Sequence, residues 1–281
     1  MDWQYPLLLM VLLLMVLNWF WEALKWKYLL KSVQQLSFFD AYKSVLAGTT
    51  ISLITPNRVG EFGGRILYVE DNNKTKAVAL SMYAGLIQLW ITLLLGIVGL
   101  LFLRNETAFQ QSNSTFKTLF SSSPLLLISS VAAVLLAAVI FRIYFFLKIL
   151  MRFKWVERRL SFLNILESIE SKEMLRILLL SLFRYFTFIL QYWLMLKLMN
   201  VDIQPVQSFY LTAVFYLLMA IAPTIGLLEL PVRASAGVVI FGFFSGNVLG
   251  IQLAVFGIWL INLVLPAIAG SLFMMKKKLF K

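Results

Sequence analysis

Pro56-Asn-Arg-Val-Gly60-Glu61-Phe-Gly-Gly-Arg65 closes an apolar run, Tyr42 to Thr55, that is too short to cross a bilayer. A hydrocarbon core about 30 Å thick needs roughly 20 helical residues. Proline removes a backbone donor and glycine loosens the chain, so this stretch breaks a helix. It also places three charges, Arg58, Glu61 and Arg65, directly after the apolar run. A charge in hydrocarbon costs at least about 2.5–3.5 kcal/mol on insertion scales, so each one needs a reason.

The surrounding chain is unmistakably one for a membrane. Hydrophobic residues make up 61% and charged residues 14%, where a soluble chain carries about a quarter charged. The mean hydropathy is +0.86. Continuous apolar stretches of spanning length lie near 5–24, 77–103, 123–147, 174–198 and 248–275. Soluble globular folding is excluded. The first run, Tyr5 to Leu24, lacks a basic n-region and a small-residue cleavage site, and reads as a retained span. With no Cys and no His, the chain lacks thiolate chemistry, the commonest general base and the commonest metal ligand.

The net charge of +12 sits beside the spans, where it sets orientation and does not call for nucleic acid. Basic residues cluster at Lys25, Lys27 and Lys31, across 148–176, and at Lys276, Lys277, Lys278 and Lys281. The 104–122 and 199–206 loops are poor in them. The positive-inside rule then places 25–31, 148–176 and the C-terminus in the cytoplasm, with the N-terminus outside. Residues 152–171 read as an amphipathic helix on the lipid surface or as a basic connector. Trp3, Tyr5, Trp19, Trp21, Trp26 and Trp155 read as interfacial belts.

This charge bias survives only if 42–65 enters and leaves on the same side, as a re-entrant hairpin. The same holds for 207–247, with Pro223, Gly226 and Pro231 at its middle. Broken backbone is tolerated at membrane depth where protein or a water-filled cavity covers it. Placing Pro56 on Pro223 gives an offset of 167 residues, and each copy then runs Pro, Gly, Glu, with Arg four positions beyond the Glu. The same offset carries the first span onto 172–191 and 77–103 onto 244–270. One copy starts outside and the other inside, an inversion familiar from secondary transporters.

The expected fold is therefore an all-α, polytopic helical bundle in one integral membrane domain, 1–281. It holds an inverted repeat (about 5–103 and 172–275) and two re-entrant, broken helical hairpins. A span at 123–147 and a basic cytoplasmic segment at 148–173 connect the repeats. The candidate site residues are Arg58, Gly60, Glu61 and Arg65 in the first hairpin, Glu229 and Arg233 in the second, and Arg184, ten residues into its span. Glu and Arg four apart share a helix face and can neutralise each other as structural glue. Alternatively the guanidinium groups hold a phosphate, with glycine N–H groups approaching the same anion. Glu22 belongs either to the interface or to the cavity, and Arg142 snorkels at its span end. Asn18, Gln88, Gln191 and Asn262 read as helix-linking polar residues.

Thr55-Pro-Asn-Arg-Val-Gly-Glu-Phe-Gly-Gly-Arg65 and Ala222-Pro-Thr-Ile-Gly-Leu-Leu-Glu-Leu-Pro-Val-Arg233 resemble the two conserved segments of the lysylphosphatidylglycerol synthetase membrane-domain family. The resemblance implies a flippase-like domain in a prokaryotic cytoplasmic membrane, with membrane lipids as partners. Full family members carry a soluble aminoacyl-transferase domain after the membrane part. None follows Lys281, so the expectation is a stand-alone form without synthesis of aminoacylated lipid. The second segment has Leu-Leu where a Gly-rich version is the family pattern.

The leading expectation is a non-enzymatic translocase for a phosphate-bearing lipid, whose named charges line a polar cavity at the repeat interface. No G-x-x-x-x-G-K-[ST] loop occurs, so movement would be passive or ion-coupled. No catalytic residue, metal or cofactor is expected. The alternatives are a membrane-embedded enzyme of lipid-phosphate metabolism, and a structural or regulatory partner in which the buried charges only join helices.

Overall fold

The structure is a computed structural model describing residues 4–56, 58–111, 117–121, 123–222 and 229–279. Regular structure among them is helical throughout. The helices are α1 (Gln4–Leu30), α2 (Phe38–Ser52), α3 (Gly60–Arg65), α4 (Lys74–Asn105), α5 (Thr107–Gln111), α6 (Lys117–Ser121) and α7 (Ser123–Phe141). There follow α8 (Ile143–Leu150), α9 (Lys154–Leu160), α10 (Ser171–Leu198), α11 (Pro205–Ile221), α12 (Glu229–Phe241), α13 (Val248–Trp259) and α14 (Leu265–Leu279). Five stretches among the described residues are long and apolar enough to cross a membrane: Gln4–Leu30, Asp71–Asn105, Ser123–Phe141, Ser171–Leu198 and Val248–Met275. They coincide with the five apolar runs of the sequence. The chain is a polytopic α-helical membrane protein.

The helices of the two hairpins are too short to span. At about 1.5 Å per residue, the 15 residues of α2 and the 17 of α11 reach only about 22 and 25 Å, short of a core about 30 Å thick. Local chemistry sets their ends. Ser37 caps α2, its hydroxyl accepting from the Asp40 N–H at 3.1 Å. After α2, Thr55 Oγ1 donates back to the Ile51 carbonyl, and Pro56 cannot rejoin the ladder. Arg58 then turns the chain with φ 58°, a conformation rare outside glycine. In the second hairpin, Pro223 and Gly226 lie outside the described residues. Pro231 falls in the first turn of α12, where its missing N–H forfeits no intrahelical bond.

The repeat offset reappears in the elements. Pro205 follows Phe38 by 167 positions, so α11 begins where the shift carries α2.

The chain divides into two compact units. One comprises Trp19–Trp90, Val134–Phe183 and Pro266–Lys281. Its centre is the first hairpin, where α2 and α3 touch backbone to backbone. A Cβ on Gly64 would stand 2.4 Å from the Ala47 carbonyl oxygen and 2.5 Å from the Gly48 Cα, so only glycine permits this approach. α14 packs on α2 through Gly270, with Thr50 Oγ1 donating to the Ala267 carbonyl at 2.7 Å. Tyr83 on α4 donates to the Ile140 carbonyl.

The other unit comprises Met1–Asn18, Ile91–Ala133 and Arg184–Leu265. Gly96 and Gly99 let α4 pack against Leu217 and the Tyr210 carbonyl of α11. Tyr192, Phe215, Tyr216 and Phe241 form an aromatic knot between α10, α11 and α12. A π turn, Leu260–Val264, joins α13 to α14. Pro266 follows it and cannot donate to the carbonyl four residues back, the usual origin of such a distortion.

One connector differs from the sequence expectation, and of the two readings given for 152–171 the structure drops the single helix. The 123–147 run breaks at Arg142 (φ −121°, ψ 31°) into α7 and α8. The 152–171 segment is not one amphipathic helix but α9 followed by a 3₁₀ run, Ser161–Ser168. Leu160 leaves helical geometry at φ −118°, and the Ser168 hydroxyl donates to the Ile165 carbonyl, local bonding that competes with a regular helix.

Candidate functional site

Arg65 ends α3 with a side chain only 3% exposed. Its guanidinium donates to Glu22 on α1 at 2.6 Å and also to Glu61, one helical turn before it. Glu22 in turn pairs with Lys25 at 2.7 Å, both side chains 2% exposed. The result is a quartet of two cations and two carboxylates, neutral as a whole. Such a group survives burial only when every charge has its partner.

The surroundings hold this geometry. Arg65 lies over the Trp26 ring, 5.4 Å from its centroid. Trp26 Nε1 donates to Ser44 Oγ at 3.0 Å, and Ser44 Oγ donates to the Arg65 carbonyl at 2.7 Å. Lys25 reaches Ser181 on α10. Of the four charged groups Glu61 is the accessible one, with 28% of its side chain exposed. Arg65 Nε is buried without an acceptor among the described residues.

The unit built on the second hairpin repeats the core of this arrangement. Glu229 opens α12, buried, and Arg233 Nε donates to it at 2.5 Å from the next turn. Arg233 is more open than Arg65, at 12%, and its guanidinium lies 6.0 Å from the Phe215 ring centroid. The repeat offset carries Lys25 onto Tyr192 and Glu22 onto Ile189. Arg233, Tyr192 and Tyr216 all stand against the Phe215 ring, and Arg233 pairs with the Glu229 carboxylate.

Arg184 belongs to a different network of the same unit. Its Nε donates to Asn18 at 3.0 Å, and Asn18 donates to Asn262 at 3.2 Å. Asn262 donates to Gln191 at 2.8 Å, and Gln191 to the Val11 carbonyl at 2.9 Å. Asn18, Gln191 and Asn262 thus link α1, α10 and the π turn, the helix-joining role read from the sequence. Arg184 finds an amide oxygen in Asn18 and lies over the Phe188 ring, 5.5 Å from its centroid.

Other placements refine the sequence reading. Gly60 presents no free N–H, because Thr55 Oγ1 accepts from it at 2.9 Å. Lys25, counted with Lys27 and Lys31 as an orienting charge, is buried inside the quartet. Trp26 and Trp19 are 0% and 5% exposed and so are not belt residues, whereas Tyr5 and Trp155 are exposed at 78% and 65%. Trp3 lies outside the described residues. Lys25 is the charge that sequence reasoning left out of the site, and Glu22, left between interface and cavity, falls inside it. Their spacing of three on one helix face was the available signal. No group of three or more Asp and Glu is placed to hold a metal ion among the described residues.

A helical membrane protein with a part-buried Glu–Arg pair on each of two short hairpins is the class that fold and site define. Residues 1–239 match the model of the lysylphosphatidylglycerol synthase TM region, and the chain belongs to that family. The matched region contains both hairpin motifs. No curated protein and no solved structure matches the chain.

Proposed function

We propose that the chain moves a phosphate-bearing lipid, a phospholipid or a polyprenyl phosphate, between the leaflets of a prokaryotic cytoplasmic membrane, with its C-terminus in the cytoplasm. The observation that carries this reading is the repetition of a part-buried Glu–Arg pair, four residues apart on one helix, in each short hairpin. A membrane anchor has no need of such pairs, and charges at that depth are costly unless they serve a pathway. The unsatisfied Arg65 Nε–H supports the reading, since a phosphate oxygen is a suitable acceptor. The phenols that share the Phe215 ring with Arg233 add polar groups with no counter-charge of their own. We assign transport and not catalysis, because the carboxylates of both clusters are engaged with cations.

A second reading has its own support. Arg65 is neutralised by two carboxylates and sealed, which suits a lock joining α1 to the first hairpin. Leaflet-resolved movement of fluorescent phospholipid in proteoliposomes separates the two. Glu61→Gln and Arg233→Gln should each slow movement severalfold while helicity by circular dichroism stays unchanged. Unaltered movement in both variants removes the site assignment and leaves the lock.

A further inference from the structure

Outside the buried quartet, the unit built on the first hairpin has a cleft where the end of α1 meets the start of α10. Tyr28, Lys31, Ser32, Ile169, Glu173 and Arg176 line it. Arg176 rests over the Tyr28 ring, 5.8 Å from its centroid. Among the described residues Lys31, Arg176 and Glu173 take part in no ion pair. Three charges around one cleft that ignore one another are available to a ligand carrying both signs. Two cations present donors to an oxyanion, and one carboxylate accepts from an ammonium. The cleft lies where the apolar run of α1 gives way to Lys31, the kind of position at which basic side chains meet headgroups.

We infer that this cleft docks the headgroup of an amine-bearing phospholipid, its phosphate between Lys31 and Arg176 and its ammonium on Glu173. The two lining helices continue into the quartet. Lys25 lies about 9 Å along α1 from Lys31, and Ser181 about 7.5 Å along α10 from Arg176, and these two residues are hydrogen-bonded. The cleft thus lies on the same two helices as the quartet's Lys25–Ser181 bond, one to two turns toward their ends. A role for it as a first station rests on the proposed transport, whereas docking is measured at equilibrium, so the two fail separately.

The test is native mass spectrometry of the whole chain in detergent, titrated with phosphatidylethanolamine, phosphatidylglycerol or soluble phosphoethanolamine. Phosphatidylethanolamine should be retained best. Combined Lys31→Gln and Arg176→Gln should weaken its retention at least about tenfold, the loss of charge-assisted hydrogen bonds. Glu173→Gln should abolish the preference over phosphatidylglycerol while sparing phosphatidylglycerol itself. Undiminished retention in the double variant, or a preference that survives Glu173→Gln, overturns the inference. Displacement of the lipid by an equal concentration of phosphoethanolamine overturns its assignment to a lipid. All three side chains are at least partly exposed, so the variants should fold as the parent does.

Discussion

Arg65 and Glu22, 43 positions apart in sequence, meet at 2.6 Å with both side chains almost wholly buried. The contact ties α1 to the first hairpin at the point where the backbone is broken. It also makes Glu22 the shared hinge of the quartet, since Lys25 depends on the same carboxylate. Removing one partner of a buried pair is costlier than never having built it, because a charge is left stranded.

This hinge sets an order of stabilities. Glu22→Ala removes the carboxylate that Arg65 and Lys25 share, leaving Arg65 only the part-exposed Glu61, and should cost about 3–5 kcal/mol, the usual loss for a broken buried pair. Glu61→Ala should cost clearly less, because Glu61 is partly exposed and Arg65 keeps Glu22. Thermal unfolding of the detergent-solubilised variants should rank Glu22→Ala well below Glu61→Ala. Equal melting temperatures would contradict the shared-hinge arrangement.

The glycines of the first motif should respond unequally. Gly64→Ala drives a methyl against the backbone of α2, which cannot yield, and should destabilise by about 1–3 kcal/mol. Gly63 has nothing within 4 Å of an added Cβ. Gly63→Ala should be neutral, or stabilising by about 0.5–1 kcal/mol through backbone entropy. The same melting measurement checks both.

The Asn18–Asn262–Gln191 chain should be worth little per bond. Interhelical hydrogen bonds in membranes average about 0.6 kcal/mol. A double-mutant cycle on Asn262→Leu and Gln191→Leu should give a coupling of about that size. A coupling of several kcal/mol would show that the network does more than join helices.

Orientation is directly testable because the chain contains no cysteine, so single-cysteine labelling has no background. With a membrane-impermeant maleimide on intact cells, Asn200→Cys should label and Lys31→Cys should not. The opposite pattern would invert the proposed topology.

The five spans were legible because spanning a bilayer depends on the length and apolarity of a contiguous run, a property of the sequence itself. The first hairpin was legible for a similar reason: an apolar run too short to span ends at Pro56, which cannot continue the ladder of α2. The pairing of Glu61 with Arg65 and of Glu229 with Arg233 followed from spacing on one helix face. Spacing within one helix has no bearing on Glu22, Lys25 and Trp26. They sit beside Lys27 and Lys31 at a span end, where charge and aromatic rings ordinarily face headgroups. Only packing of the first hairpin against α1 takes them out of the interface.

The sequence by itself thus determined a multispan membrane protein with two short, charge-bearing hairpins, because helix length, helix breaks and charge at depth are local quantities. Tertiary structure decided which charges meet. It joined Glu22 and Lys25 to Arg65, set Tyr192 and Tyr216 with Arg233 against Phe215, and drew Arg184 to Asn18. Burial and ion pairing depend on which residues, distant in the chain, come to cover one another, and no local pattern records that.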